Sequence, residues 1–427
     1  MSLQGTFNTA VQGMNTDAHA MSVISSNIAN VATTGYKTQN THFETILNHV
    51  RPNEQKFLSV KAVDWRNVSA QGQIGTTNRT LDLALNGRGF MVTNTEADGS
   101  GIWQFTRDGG MFGKATNIGT TQDPVPGVQL MTSGGATLFG WPVNSDGTFT
   151  ETGSLSSLKP VSYSMDAVLP AKPTENINLA ANVSGEVDGR QTVTVPYIDL
   201  NGSSRTITIG FTPVPGALGT DGTLTSTYDL DFTASTGENV TSNDVRTQFG
   251  TQAQLIVPTS GALQLNVGDP LGTVQPINLN LSQMTDFKDQ GQITVQNVDD
   301  DGYLASRLNN AYFNSEGVLI GSYANGEVKN LFKLPVATFA VEDKLSAMPG
   351  NYFVQTEEAG QMQIRGLGSQ STSTGGTAFV AGALERSTVD LADQFSRMIV
   401  TQRAYSSNAQ VVRAADEMTQ AVRDLKR

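Results

Sequence analysis

The last stretch of the chain, residues 383–427, reads ALERSTVDLADQFSRMIVTQRAYSSNAQVVRAADEMTQAVRDLKR. No Gly or Pro interrupts it, and a seam repeats every seventh residue, as in a coiled coil. One half of the seam is Leu384, Leu391, Met398, Tyr405 and Val412, and the other half follows four residues later as Thr388, Phe395, Gln402 and Ala409. Ser387, Thr388 and Asp390 offer oxygens that can cap a helix at its start. The pattern predicts one helix over residues 383–427 that needs a partner helix along its length.

The first 34 residues carry the same alternation of four and three, interrupted once by Asp17. They predict a second long helix, and no comparable stripe lies between the two ends. We expect the two helices to pair with each other or with copies of themselves, and the alternative is ordinary packing inside one globular domain. Their length favours contacts between subunits, because helices of globular domains are much shorter on average. The side chains predicted to make subunit contacts are Leu3, Phe7, Met14, Met21, Ile24, Ile28, Leu384, Leu391, Phe395, Met398, Tyr405 and Val412.

The composition indicates a β-rich chain without a nucleic-acid partner or a membrane-inserted segment. The 427 residues suffice for about two or three domains, with 43 Gly and only 7% aromatic residues. The formal charge of −12 argues against nucleic acid and anionic lipid surfaces. Cys is absent, which excludes disulfides and Cys metal ligands, and no apolar run is long enough to span a bilayer. The first residues are neither basic nor apolar enough for a cleaved secretion signal.

The first helix is expected to stop within Ser26–Lys37, which reads SNIANVATTGYK. Asn residues on the last turns, a small polar run and Gly35, which accepts positive φ cheaply, describe a helix end followed by a sharp exit. This segment closely resembles the N-terminal signature of the bacterial flagellar axial proteins, the family of rod and hook components. In that family the first helix stops at an Asn-Ile-Ala-Asn element, and the chain continues through a Thr-x-Gly-Tyr/Phe-Lys turn.

Further segments resemble motifs of the same family, so that the resemblance covers more than half of the chain. They are LDLALNGRGFMV at Leu81–Val92, FTRDGGMF at Phe105–Phe112, and the C-terminal signature over Gly382–Leu391 and Met398–Gln410. The departures are mild: Gly110-Met111-Phe112 follows Gly109 where relatives usually have Asn or Asn-Phe, and position 388 is Thr where Asn is usual. The family motif carries over to Asn27, Ile28, Ala29, Asn30, Gly35, Tyr36, Lys37, Gly89, Phe90, Thr106, Arg107, Gln402, Arg403 and Asn408.

The centre of the chain predicts β-structure in two parts. Turn signals at 144–147 and 314–317 flank an insert rich in Thr, Val, Gly and Asn, in which Asn201-Gly202 predicts a hairpin. The fold class is therefore mixed α and β, nested as helix, β, insert, β, helix, and the resemblance places the helices on the inside of a tube. The predicted divisions are 1–34 with 383–427 (terminal helical domain), 35–71 (extended connector), 72–149 with 301–375 (middle β domain), 150–300 (outer β domain) and 376–382 (linker).

The sequence predicts neither catalysis nor a metal or cofactor site. His19, His42 and His49 have no acidic partner at ligand spacing, so surface or packing roles are expected. Residues 297–302 have the first half of a calcium loop, but Leu308 stands where the loop needs Glu, and a turn is the preferred interpretation. Gly87-x-Gly89 lacks the strand-to-helix context of a phosphate loop.

The resemblance implies a structural role for the chain. Many copies would assemble helically into a curved hollow tube, a flexible joint that transmits motor torque from rod to filament. A rod component is the nearest alternative, but the large insert favours the hook; an extracellular enzyme or adhesin carried by residues 150–300 is a further one. The implied partners are other copies of the chain, the distal rod protein, the hook cap, the hook–filament junction protein and the flagellar type III export apparatus. Export by that apparatus would give an extracellular location without a cleaved signal.

Overall fold

A computed structural model describes residues 3–47, 58–120, 123–184, 189–215, 226–235, 239–243, 245–250, 254–257, 261–268, 273–287, 293–368 and 376–424. A long helix lies near each end of the chain, and β-strands fill the sequence between them, which confirms the mixed, nested fold class. The chain divides into two compact units. The first unit is Met1–Met165, Asn310–Ser322 and Val328–Arg427, and the central unit is Asp166–Asn309 with Tyr323–Glu327.

The terminal helices are α1 (Leu3–Ala29) and α2 (Leu391–Asp424). Asp390 caps α2, because its Oδ1 accepts hydrogen bonds from the backbone N–H groups of Ala392 and Asp393 at 2.8 and 3.3 Å. The predicted start at residue 383 was wrong. Ala383–Glu385 is a β-strand, so Leu384 belongs to a sheet and not to the helical seam.

The remaining elements are short. Single 3-10 turns occupy Leu155–Ser157, Glu342–Lys344 and Glu357–Ala359. The strands in chain order are β1 (Gln39–Leu47), β2 (Leu58–Arg66), β3 (Ile74–Thr76), β4 (Leu83–Asn86), β5 (Phe90–Asn94), β6 (Trp103–Thr106), β7 (Met111–Thr120), β8 (Asp123–Thr132), β9 (Thr137–Pro142), β10 (Lys159–Pro160), β11 (Ser162–Tyr163), β12 (Val168–Leu169), β13 (Asn176–Asn182), β14 (Gln191–Ile198), β15 (Ser204–Pro213), β16 (Ser226–Ala234), β17 (Asn239–Ser242), β18 (Arg246–Phe249), β19 (Leu255–Val257), β20 (Ala262–Gly268), β21 (Val274–Asn280), β22 (Thr294–Asp300), β23 (Ser306–Phe313), β24 (Val318–Tyr323), β25 (Val328–Lys333), β26 (Pro335–Thr338), β27 (Ser346–Met348), β28 (Tyr352–Val354), β29 (Gln363–Gly366), β30 (Ala378–Ala381) and β31 (Ala383–Glu385).

Residues 35–71 contain an antiparallel hairpin, β1–β2, that lies against α1. His19 Nε2 of α1 lies 2.9 Å from Asp64 Oδ2 of β2. On the other face of the hairpin, His42 stacks on Trp65 with ring centroids 5.5 Å apart. The prediction of an extended connector missed this pairing because polar residues occupy most positions of both strands, which leaves no apolar alternation to read.

The β-body of the first unit is one extended system of strands. Its main path runs β23-β24-β25-β9-β5-β6-β28-β27, and β7, β8, β10, β11, β26 and β29 join it at the sides. Aromatic side chains dominate one core. The ring centroids of Phe90 and Phe353 lie 5.6 Å apart, and those of Phe105 and Phe339 lie 4.9 Å apart in an edge-to-face arrangement. The predicted turns at 144–147 and 314–317 are confirmed, with Asn144 donating to Thr148 O at 2.8 Å and Asn314 to Val318 O at 3.0 Å.

Residues 376–382 are not a linker. They contain β30, which pairs with β4 and places Phe379 in the core at 2% exposure, and β31 follows directly to pair with β3. The small and polar residues before β30 dominate the composition of this region and hid a strand of four residues. The segment before α2 therefore pairs with strands near the start of the chain, β30 with β4 and β31 with β3.

The central unit is a β-sandwich. Its two sheets have the orders β17-β20-β21-β13-β22 and β14-β15-β16-β18-β19, and their inner faces share one apolar core. Alternation positions each strand: in β14, Val193, Val195 and Tyr197 are buried while the residues between them are exposed. The predicted turn at Asn201-Gly202 is confirmed, because it joins β14 to β15, with Gly202 donating to Asp199 O at 3.0 Å.

The central unit differs in its bounds from the predicted residues 150–300. Residues 150–165 belong to the first unit, because β10 pairs with β9 and β11 pairs with β8. At the other end, the unit extends to Asn309 and includes Tyr323–Glu327. Turn-rich sequence on both sides of the true boundary gives no compositional signal for it.

Candidate subunit-assembly surface

The terminal helices pack on each other in antiparallel fashion. Asn27 Nδ2 of α1 donates to Gln394 Oε1 of α2 at 2.9 Å, and further along Asn408 Nδ2 of α2 donates to Asp17 Oδ2 of α1 at 2.9 Å. A set of α2 residues at alternating spacings of three and four is buried or half-buried, as in a coiled-coil seam. This set is Gln394, Met398, Thr401, Tyr405, Asn408, Val412 and Ala415.

The observed seam keeps three residues of the predicted first half and differs in its second half. Met398, Tyr405 and Val412 lie on it, as the spacing indicates, but Leu391 and Phe395 are 39% and 50% exposed. The complementary positions come three residues after the first set and not four. Three of the four are polar: Gln394 and Asn408 hydrogen-bond across the pair, and Thr401 donates to Arg397 O of its own helix. A search for apolar residues therefore selected the wrong face.

Asp17 is a seam residue although it interrupts the apolar stripe of α1. It is 8% exposed and accepts the hydrogen bond from Asn408. Gly13 lies one turn before it, and a Cβ at this position would come within 2.7 Å of Asn408 Nδ2. The missing side chain of Gly13 therefore admits the Asn408 amide, and the polar pair fixes the register of the two helices.

Both helices also carry apolar side chains outside the seam. On α2 the exposed fractions are 39% for Leu391, 50% for Phe395, 53% for Ile399, 67% for Val400, 40% for Val411 and 59% for Met418. On α1, Phe7 is 40% exposed. Apolar residues on several faces are typical of a helix that is covered on several sides, and a large exposed apolar surface marks an interaction site. These outward faces are the candidate assembly surface.

The other predicted contact residues are mostly buried or half-buried within the first unit. Ile24 is buried, Met14, Met21 and Ile28 are half-buried, and the side chain of Leu3 lies outside the described residues. Leu384 is half-buried in β31, where it pairs with Gly75.

Where α1 leaves and α2 enters the β-body, three ionised side chains form a buried cluster that we call the junction. Glu385 Oε1 accepts hydrogen bonds from Lys37 Nζ at 2.5 Å and from the Gly72 N–H at 2.8 Å. Its Oε2 lies 3.3 Å from Arg107 Nη1. Lys37 and Glu385 are fully buried and Arg107 is 1% exposed. One carboxylate therefore serves two buried cations.

The electrostatics of the junction depend on Glu385. Burial lowers the pKa of the Lys37 ammonium below its usual value; Glu385 opposes this effect, and Arg107 reinforces it. The Arg107 guanidinium also lies over the Phe90 ring, 5.2 Å from its centroid. Removing the carboxylate would leave two desolvated cations side by side. This would strongly destabilise the fold, because a buried charge that loses its partner keeps the full cost of its desolvation.

Backbone hydrogen bonds tie the two termini together at the same place. The Gly35 N–H donates to Glu385 O at 2.8 Å, and the Thr388 N–H donates to Tyr36 O at 3.1 Å. Tyr36 Oη donates to Asn27 Oδ1 at 3.1 Å and so reaches back to α1. The exit of the first helix and the entry of the second are thus one structure, built from segments at opposite ends of the sequence.

Gly35 makes this close approach possible. Its φ is +65°, and a Cβ would lie 2.8 Å from the Asp108 backbone N. Thr34 Oγ1 donates to Asp108 Oδ1 at 2.9 Å, and Asn351 Nδ2 donates to Thr34 O at 2.9 Å. The predicted turn at Gly35 is confirmed in its positive φ.

The other motif residues divide into those near the junction and those on α2. Thr106 Oγ1 donates to Asn351 O at 3.0 Å, and a Cβ on Gly89 would lie 2.4 Å from the Val336 side chain, so both fix the β-body beside Phe90 and Arg107. Asn30 closes the end of α1 by donating to Ser26 O at 2.8 Å.

Gln402 and Arg403 are exposed on α2 and do not belong to the junction. Conversely, sequence reasoning left Glu385, Asp108, Gln394 and Asn351 out of the candidate residues. Only Glu385 and Asp108 had a signal, since Glu385 stands inside the C-terminal signature and Asp108 inside the motif at Phe105–Phe112.

The described residues support no metal site. Within them, His, Asp and Glu form no group of three or more that could hold a metal ion. His49 lies outside the described residues. Asp301 of the central unit, from the half calcium loop, instead accepts hydrogen bonds from the N–H groups of Glu175 and Asn176, each at 2.9 Å, and from Lys172 Nζ at 3.0 Å. Burial raises the pKa of Asp301, but these hydrogen bonds outweigh it and lower the pKa to about 2. In the described ranges, neither helix is long and apolar enough to cross a membrane.

Family models match both ends of the chain. Residues 7–37 match the model "Flagella basal body rod protein", and residues 380–425 match "Flagellar basal body rod FlgEFG protein C-terminal". The first range holds α1 from residue 7 onward and its exit through Lys37, and the second holds β31 with Glu385 and all of α2. The two models therefore meet in space at the junction and along the helix pair.

Whole-chain relatives are flagellar hook proteins. The chain is 27% identical to flagellar hook protein FlgE of Brucella abortus over 100% of both chains. It is 26% identical to flagellar hook protein FlgE of Treponema pallidum over 98% of this chain and 99% of the relative. A crystal structure of Helicobacter pylori flagellar hook protein FlgE2 matches 68% of this chain and 96% of its own, with 10% identity and a TM-score of 0.35. The chain is thus similar from end to end to flagellar hook proteins, and both of its ends match models of the flagellar basal body rod proteins.

Proposed function

We propose that the chain is the structural subunit of the flagellar hook, a curved hollow tube built from many copies. The observation that carries this proposal is the extent of the alignments with hook proteins, which cover 98–100% of this chain and so include the central unit. The end signatures alone do not distinguish a hook from a rod component, because both carry them. Full-length similarity to hook proteins favours the hook over the rod.

The outward faces of the helices support a polymer. Seven exposed apolar side chains on α1 and α2 have no use in a monomer. Full burial of a large apolar side chain contributes about 1.5–3 kcal/mol, so a half-exposed one gains on the order of 1 kcal/mol when a neighbouring copy covers it. An open tube requires contacts between different patches of successive copies, since contacts that close would give a ring.

The junction suits a subunit that transmits torque. The helices enter the β-body through a cluster of charged and backbone hydrogen bonds rather than through a flexible linker. Force applied to the helix pair of the first unit is therefore passed to its β-body without a hinge at this point. We assign no catalytic role to the chain, and no observation on the described residues favours an enzyme or adhesin in the central unit.

The finer setting is also part of the proposal. As a hook component, the chain would reach the cell exterior through the flagellar type III export apparatus without a cleaved signal. It would contact the distal rod protein at one end of the hook and the hook cap during growth. The hook–filament junction protein would follow at the far end.

Electron microscopy of the purified chain after induced polymerisation tests the function. Curved tubes of uniform diameter are expected, and discrete globules under all polymerising conditions would overturn the hook assignment. Val400→Asp places a charge on an outward position that is 67% exposed, so the monomer should melt normally and form no tubes. Val341→Asp is the matched control, because it makes the same change at a position 47% exposed outside the helices. Equal polymerisation of both variants would show that the outward face of α2 is not an assembly surface.

A further inference from the structure

A groove of about 320 Å³ opens where α1, α2 and β1 meet in the first unit. Ala20, Val23 and Ile24 of α1 contribute apolar side chains that are 6–8% exposed. Phe43 of β1 and Val400 of α2 also line the groove and are 52% and 67% exposed. The groove thus combines buried and strongly exposed apolar side chains, and the described chain does not cover it.

The chemistry of the groove calls for an apolar occupant. Its one charged lining residue, Arg397, is already neutralised by Asp393, with Nε and Oδ2 2.8 Å apart. Arg397 Nη1 also donates to Asn40 Oδ1 at 3.1 Å, which holds the guanidinium against the β1 side of the groove. A charged ligand would find no unmatched charge among these lining residues, whereas an apolar side chain would bury Phe43 and Val400.

The chain itself carries apolar side chains of the required kind at the far end of the same helix pair. The contacts Asn27–Gln394 and Asp17–Asn408 set the antiparallel register, which places Phe7 beyond Asn408 and close to the level of Ala415. Phe7, Val411 and Met418, which we call the distal patch, are 40%, 40% and 59% exposed. Val400 and Met418 are separated by roughly 27 Å along α2 at ~1.5 Å per residue, so the groove and the patch lie at different ends of the pair.

We propose that the groove receives the distal patch of a second copy of this chain, so that helix pairs join end to end. The inference rests on the proposed function, because it names the contact by which copies of a hook subunit would follow one another. A groove and a patch at opposite ends of one helix pair form a heterologous contact that repeats without closing, as an open tube requires. The same contact buries Val400 of α2, which is 67% exposed.

Cysteine cross-linking tests the contact directly, because the chain has no Cys of its own. The double variant Val400→Cys/Met418→Cys is polymerised, inspected by electron microscopy, and oxidised. Its two thiols lie on one rigid helix, too far apart for a disulfide within a chain, since bridged Cα atoms must lie within about 7 Å. The proposal predicts a ladder of covalent oligomers on a non-reducing gel. Mixed tubes of the two single variants should give dimers only, and neither single variant should cross-link with itself.

The controls separate failure of this contact from failure of the function. If the wild-type chain forms no tubes, the hook assignment fails. If the double variant forms tubes without cross-linking, the groove contact is wrong and the function stands. Dimers of Val400→Cys alone would show groove-to-groove pairing and would also overturn the proposal. Should Val400→Cys/Met418→Cys not polymerise, the pair Phe43→Cys/Phe7→Cys probes the same contact. Val400→Cys combined with Asp98→Cys, on an exposed loop of the β-body, is the matched pair that should stay uncross-linked.

Discussion

Replacing Glu385 by Gln is the sharpest perturbation of the junction. The amide keeps the shape of the carboxylate and can still accept the hydrogen bond from the Gly72 N–H. It no longer neutralises Lys37 and Arg107, which are 0% and 1% exposed, and its NH₂ group would meet donors only. Breaking a buried ion pair from one side costs about 3–5 kcal/mol, because the remaining charge stays buried without compensation. At about 2–4 °C per kcal/mol for a unit of this size, the midpoint of melting should fall by roughly 6–20 °C.

Tryptophan fluorescence isolates the relevant transition. The three Trp residues, Trp65, Trp103 and Trp141, all belong to the first unit, so their emission follows that unit and is silent for the central one. Glu358→Gln is the matched control: it removes the same charge from a pair with Lys344 whose side chains are 71% and 58% exposed. Exposed pairs contribute only about 0–1 kcal/mol, so the control should melt almost normally. If Glu385→Gln melts with the control, the argument that one carboxylate compensates two buried cations is refuted.

Other perturbations probe the helix seam, the turn and the central unit. Gly13→Ala should destabilise the helix pair, although Ala normally favours a helix over Gly by about 1 kcal/mol. The new Cβ displaces Asn408 and breaks its hydrogen bond to the buried Asp17, which costs about 1–3 kcal/mol. A higher melting temperature of the variant in far-UV circular dichroism would contradict this. Gly35→Val should abolish assembly and destabilise the first unit far more than Gly147→Val, because both glycines have a positive φ but only Gly35 lies against backbone atoms. If Trp fluorescence shows that both variants lose the same stability, the strained φ alone explains the effect and the close contact does not contribute. Asp301 has a folded pKa of about 2 against the usual 3.8, so the unfolded chain binds more protons between these values. The stabilisation that Asp301 gives the folded central unit is full above about pH 4 and is lost as the pH falls through 2. Asp301→Asn should therefore make the unfolding of the central unit, which Trp fluorescence does not report, less sensitive to acid. An unchanged dependence of that unfolding on pH would rule out this role.

The sequence predicted elements with a strong period and missed those whose partners are polar or distant. The seven-residue repeat located α2 and half of its seam, but Gln394, Thr401 and Asn408 occupy the other half, and a polar residue in a seam has no hydrophobic signature. The start of α2 was misplaced because Leu384 fits the repeat, while the decisive cap at Asp390 competes with Ser387 and Thr388 in sequence.

The junction illustrates a second limit. Gly35, Tyr36, Lys37 and Arg107 could be singled out through motifs, but their meeting point on Glu385 depends on β31 pairing with β3, a contact over a long sequence separation. Local periodicity carries no information about such pairings. The hairpin β1–β2 was missed for a related reason, since its strands are held by register and by α1 rather than by an apolar face of their own.

The separation of Lys37 and Glu385 by 348 positions has a consequence for the timing of folding. A chain made from its N-terminus presents both cations of the junction long before their carboxylate exists. Neither cation can be buried alone without a cost of several kcal/mol, so the exit of α1 stays solvated during synthesis. α1 also waits for its partner, because α2 begins only at Leu391. The helix pair is therefore completed only after α2 has been made, and a chain that stops before Leu391 lacks one of its two helices.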